Sequence, residues 1–301
     1  MRRRYALAVV GLVTSSIVVA GQAPPEGQPE LTTLLGRAVY ARADTDGAIA
    51  KADAALSVEP GNIDLILAAA RARDVALQFH RAIEVYSKGI ALAPNDVRLW
   101  RFRGHRYIST RRFDLAVADL QKAVALAPSS FDATYHLALA HYLAGHFDEA
   151  VKVYRSCLAA TADAAPLPQG WRSCTTTRSS DNDRVAISDW MYRALRRAGR
   201  HDEAKALLAE LPKEMKIGEN EAYYTALRFY RGDVTDAQAM VPVTANDNRL
   251  VTVGYGMATF YLANGDKPRA CDLLKRIAAE PNWNAFGVIA AEVDLSRGAC
   301  K

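Results

Sequence analysis

Val97–Ser130 reads VRLWRFRGHRYISTRRFDLAVADLQKAVALAPSS, and this stretch decides the fold. Trp100, Gly104, Tyr107 and Ile108 fall at helical spacing on one stripe. After a short polar turn, Phe113, Ala116, Val117, Leu120, Ala123 and Val124 repeat the i, i+3, i+4, i+7 pattern of a second buried face. Pro128 ends that second helix, because proline has no N–H to donate and disfavours helix in the residue before it. Two antiparallel helices this short cannot bury both faces alone; they need copies stacked on either side.

The copies are present at a period of 34 residues. Pro60, Pro94 and Pro128 keep that step, as do Ala48, Ala82, Ala116 and Ala150, where two helices must cross closely. The units are Pro29–Asn62, Ile63–Asp96, Val97–Ser130 and Phe131–Ala164. Three looser copies follow at Trp190–Leu211, Glu221–Val241 and Val251–Ile277, each with a Gly five residues before a small Ala.

With Trp100, Gly104, Tyr107, Ala116, Leu120, Ala123 and Pro128, and again Leu137, Ala138, Gly145, Phe147, Ala150 and Tyr154, the chain resembles the tetratricopeptide-repeat family. Arg103 stands where that pattern has Leu, and Arg111 replaces the turn Gly. The resemblance implies an all-α, right-handed superhelical solenoid of about seven antiparallel helix pairs with a C-terminal capping helix. The expected organisation is a signal peptide over 1–23, a linker over 24–30 and four regular repeats over 31–160. An insertion loop over 161–183, three degenerate repeats over 184–280 and the capping helix over 281–301 follow. In that last helix Glu292, Asp294 and Arg297 are expected to face out.

The start looks like a secretory signal: Arg2, Arg3 and Arg4 precede an apolar run to Ala20, and small residues follow. Cleavage after Ala20 or Gly21 is preferred; the alternative is an uncleaved anchor. Three of the 38 basic residues lie in this segment, leaving 35 against 33 acidic ones. Such a balance offers no general pull toward nucleic acid or an anionic membrane. No stable membrane span is expected after signal removal, and the protein is expected to be exported, periplasmic or extracellular. In an oxidising compartment the four cysteines can pair, with three connectivities open. Since repeats touch only their neighbours, Cys157–Cys174 and Cys271–Cys300 are favoured over distant pairings; the alternative is unpaired core cysteines.

There is no nucleophile elbow, phosphate-cradling Gly loop or HExxH. No catalytic residue, metal or cofactor is therefore assigned. His136, His141 and His146 fall five apart, which rotates them around a helix, while His105 can approach His136 from the neighbouring unit. Asp183 or Ser188 is a candidate cap for the helix after the insertion.

In proteins of the resembled fold, the first helices of each pair face a concave groove that grips a peptide or helix. By repeat phase, Arg37, Arg71, Arg98, Arg101, His105, Tyr135, Tyr142, Trp190, Arg193, Arg196 and Tyr223 face it, with Tyr255 a weaker member. This basic and aromatic row suits a protein or peptide partner with acidic and apolar or aromatic features. The bland alternative is that the Arg side chains pair with acids such as Asp74 or Asp132. The Lys and Asn set of the carboxylate-clamp version is not intact. The leading reading is an exported, non-enzymatic binding scaffold. Alternatives are an enzyme or small-molecule binder with a site near the insertion and Trp171, and a structural subunit of a cell-envelope complex.

Overall fold

A computed structural model describes residues 27–163, 166–177, 180–242 and 249–301; the expected signal lies outside them. The repeats are built as their sequence dictates. Helices α2 (Ile63–Val75), α4 (Val97–Ser109) and α6 (Phe131–Ala144) are each capped one residue upstream, by Asn62, Asp96 and Ser130. Those caps are 34 residues apart, and each accepts from free N–H groups of its first helical turn. Their partners are α3 (Phe79–Leu92), α5 (Phe113–Leu126) and α7 (Phe147–Ala159). At the crossing points Ala82, Ala116 and Ala150 are fully buried. A larger side chain there would force the paired helices apart.

The second half holds α8 (Cys174–Thr177), the pairs α9 (Asp181–Arg197) with α10 (His201–Glu210) and α11 (Glu221–Arg231) with α12 (Asp236–Ala239), then α13 (Arg249–Ala263) with α14 (Lys267–Ala278), and finally α15 (Phe286–Ser296). The all-α solenoid is therefore present as consecutive packed helix pairs. Ser180, rather than Asp183 or Ser188, caps α9. Covalent links join Cys157 to Cys174 and Cys271 to Cys300.

Both ends depart from expectation. The first unit has no first helix: β1 (Leu31–Thr32) pairs antiparallel with β2 (Ala38–Val39), and only α1 (Ala48–Val58) is helical. Ala48 is consequently exposed, because nothing crosses it. At the other end α15 is no amphipathic lid. Eight consecutive residues, Gly287 to Asp294, are buried, so the helix is covered on every side. Glu292 and Asp294 face inward because each meets an arginine from a distant repeat.

The C-terminal segment runs along the turns that join first to second helices. These turns place Leu77, Arg111 and Gly145 in the left-handed region, at φ 56°, 60° and 92°. Trp283 packs with Phe79, Val39 and Leu77 at the first turn, its ring 5.3 Å from that of Phe79. Arg111 donates to Trp283 O at 2.8 Å and to both Glu292 carboxylate oxygens at 2.9 Å. Arg297 donates to Leu143 O at 2.8 Å beside Gly145. Arg37 reaches the carbonyls of Ala279 and Glu280 from the hairpin, and Arg197 holds Asp294 at 2.5 Å. The last element thus ties the first repeats to the last.

Removing one member of the buried Arg111–Glu292 pair leaves an uncompensated charge, which costs roughly 3–5 kcal/mol. Glu292→Ala should lower the stability measured by urea unfolding by about that amount. Replacing both partners by Met should cost clearly less, since no charge is then stranded.

Candidate functional site

With α15 seated along the turns, one side of α2 and α4 stays open in the first repeats. Helix α2 exposes Asp64, Ala68, Arg71 and Val75, one stripe at i, i+4, i+7 and i+11. Helix α4 sets Arg98, Arg101 and Phe102 beside it, all partly exposed. Phe102 lies between two guanidinium groups, that of Arg71 at 5.1 Å and that of Arg101 at 4.7 Å from its ring centre. Tyr86 stacks against Phe102 at 6.0 Å, and Trp171 meets it edge-on at 6.4 Å and 89°.

Trp171 comes from the insertion, which is fastened to the junction of the third and fourth repeats. Phe131 N–H donates to Arg172 O at 2.9 Å and Cys174 N–H to Ser129 O at 2.8 Å, while the Cys157–Cys174 bond ties the same strand to α7. Arg172 stacks over Phe131 at 4.3 Å and bridges Asp183 and Asp132.

The patch's charges are unequal in availability. Arg98 is held by Asp96 and Asp64, whose hydrogen bonds raise its pKa. Arg101 lies 3.6 Å from Asp132, and burial lowers its pKa. Arg71 is exposed and has no carboxylate within ion-pair reach among the described residues. Phe102 and Arg172 were not read as site residues from the sequence. Phe102 is one position from the groove phase of Arg101, and Arg172 is placed by strand pairing that no helical periodicity reports.

The rest of the expected groove row is spent inside the chain. Arg37 serves the closing segment. His105 packs its ring 4.6 Å from His136 and 5.2 Å from Phe286. Tyr135 and Tyr223 share a hydroxyl contact of 3.2 Å. Tyr142 and Tyr255 share one of 2.9 Å, and Tyr255 donates onward to Asp294 at 3.0 Å. Trp190 packs against both of those rings. Arg193 is 1% exposed and holds Asp189 at 2.5 Å. Burial pushes the Asp189 carboxyl up to about 6, and Arg193 works against that. Arg196 is bound to Tyr192 and Asn264. Tyr135, Tyr142, Trp190 and Arg193 are therefore core side chains, packed among residues of α6, α7, α9, α11 and α13. What remains beside them is a hollow of about 180 Å³, lined by Trp190, Tyr223 and Phe286 among others.

The comparisons fit this architecture. A family model described as tetratricopeptide repeat matches residues 103–165. Residues 103–165 carry the tetratricopeptide repeat. The chain is 26% identical over 151 residues to "Tetratricopeptide repeat protein 37" of Xenopus laevis, covering 44% of this chain and 10% of that one. It is 28% identical over 105 residues to "Small glutamine-rich tetratricopeptide repeat-containing protein 2" of Saccharomyces cerevisiae, covering 32% and 30%. The chain thus spans about a tenth and under a third of these curated relatives' lengths. Among solved structures, MamA aligns over 66% of this chain and 90% of its own at 20% identity, with a TM-score of 0.46.

The tetratricopeptide repeats bring one titratable pair together at the edge of the patch. His136 Nδ1 lies 2.6 Å from Asp132 O, so Nδ1 carries the proton and donates. Its Nε2 faces Arg101 Nη2 at 3.5 Å, so a second proton would meet a cation. Burial, and then Arg101, hold the His136 pKa well below its ordinary value. The unfolded imidazole, with a pKa near ~6.5, takes up a proton that the folded one refuses. Stability contributed here is present above pH ~6.5 and is lost as pH falls, at about 1.4 kcal/mol per pH unit. Urea unfolding at pH 7.5 and 5.5 should show a shallower pH dependence for His136→Gln by about that slope.

Proposed function

We propose that this protein is an exported, non-enzymatic scaffold that holds a protein or peptide partner on the open inner face of its first repeats. The observation that carries the reading is the exposed Arg71 set on the partly exposed Phe102, with Arg101 and Trp171 beside that ring. An exposed guanidinium set on an aromatic cluster favours a partner that brings a carboxylate beside an apolar or aromatic residue. Arg98 and Arg172 extend the basic rim. Of the remaining groove-row residues, His105 backs the patch through His136, whose ring faces Arg101. Export is supported by the two disulfides, which persist outside reducing compartments. No helix among the described residues is long and apolar enough to cross a membrane.

Affinity capture from a cell-envelope extract, quantified by mass spectrometry, tests the patch. Arg71→Glu/Trp171→Ser should lose at least one partner that wild type and the outer-face control Lys122→Glu both retain. Identical recoveries from all three proteins would contradict the assignment. That outcome would favour the alternative of an envelope subunit docked through its outer face.

A further inference from the structure

A second surface, away from the patch, has the build of a small-molecule site. Three helix faces converge on one cleft: Arg155, Leu158 and Ala159 of α7, Arg184, Ser188 and Met191 of α9, and Glu203, Ala206, Leu207 and Glu210 of α10. Each set follows helical spacing, so whole stripes line the cleft rather than scattered tips. Its volume is about 650 Å³, within the range of small-molecule sites. The apolar lining comes from Leu158, Met191, Ala206 and Leu207.

The polar groups differ in what they have left to give. Arg155 is bound to Glu203, which Arg200 also holds through a second pair of hydrogen bonds. Asp148 also accepts from Arg200, so two arginines and two carboxylates balance, and Arg200 and then Arg155 hold the Glu203 carboxyl down to about 2. Arg184 instead donates only to a backbone carbonyl, Glu210 O at 3.2 Å, and has no carboxylate within ion-pair reach among the described residues. One turn further along α9, Ser188 is fully buried and its hydroxyl has no hydrogen-bond partner. It does not make the bond back to the preceding turn that helical serines commonly make. A buried hydroxyl left unpaired is costly, which marks a place for a missing acceptor. The Glu210 carboxylate sits at the exposed rim, where water screens it.

We propose that the cleft between α7, α9 and α10 binds a small amphipathic carboxylic acid. Its apolar body lies on Leu158, Met191 and Leu207, and its carboxylate accepts from Arg184 and Ser188. A guanidinium and a hydroxyl on one helix face suit two carboxylate oxygens, and the apolar trough suits an alkyl or aryl chain.

Isothermal titration of the full, oxidised chain with decanoate, and with decan-1-ol as the uncharged counterpart, tests this. Wild type should bind decanoate saturably at one site and decanol roughly ten-fold more weakly, the usual loss when a charged hydrogen bond goes. Arg184→Gln should weaken decanoate about ten-fold and leave decanol unchanged. Ser188→Ala should weaken decanoate while preserving the fold, as far-ultraviolet circular dichroism reports. Patch variants such as Arg71→Glu should bind decanoate like wild type, which separates this site from the partner surface. Absence of saturable decanoate binding, or equal binding by Arg184→Gln, would overturn the proposal.

Discussion

The molecule depends on a buried ion pair between residues 181 positions apart, Arg111 and Glu292. Both side chains are almost wholly removed from water, at 4% and 1% exposure. Burial alone would drive the Glu292 carboxyl up, and Arg111 and Arg37 oppose that. Such a pair contributes little net stability over apolar residues of the same size, but a mismatch is severe. The pair matches the register in which α15 is seated, and a shift of that helix would strand both charges. Gly287 adds the same constraint sterically, because a Cβ there would collide with Val251 O.

Arg111 also carries a local strain. Its left-handed backbone, a conformation that disfavours a Cβ, sits where the equivalent turn of the next repeat has Gly145. A glycine would relieve the turn but remove the guanidinium that reaches Glu292, Trp283 O and Ser109 O. The neighbouring Leu77 is the same case: it is strained at φ 56° and packs against the Trp283 cluster. Two turns give up backbone comfort for contacts to the closing segment. Closure then divides the inner face. The turns themselves are held by the closing segment, and the helix sides carrying Arg71 and Phe102 stay open.

The repeat itself was legible because its rules are local. Caps at 34-residue steps, buried alanines at the crossings and prolines between units report contacts with the next helix, and periodicity records those. Topology also picked out the cysteine pairs that the structure joins. The closure was not legible, because nothing local distinguishes an outward Glu292 from one that meets an arginine from the third helix pair back in the chain's first half. Tyr142 and Trp190 hold groove phase yet are core residues for the same reason. The hairpin that replaces the first helix escaped notice because Gly36 and Ala48 mimic the repeat grammar without a helix between them. Trp171 was visible as an anchor, but its target, Phe102, was set by strand pairing with Ser129–Phe131.

A closed superhelix makes a strong statement about its last helix. Most C-terminal helices fray, and a mere cap would exchange its amide hydrogens early. Native-state hydrogen–deuterium exchange read by mass spectrometry on the oxidised protein measures this directly. Seated as described, residues 287–294 should exchange as slowly as α6 and α13, near the global unfolding limit. Exchange of that segment in seconds, while α6 and α13 stay protected, would contradict the closure and return the whole inner face to solvent.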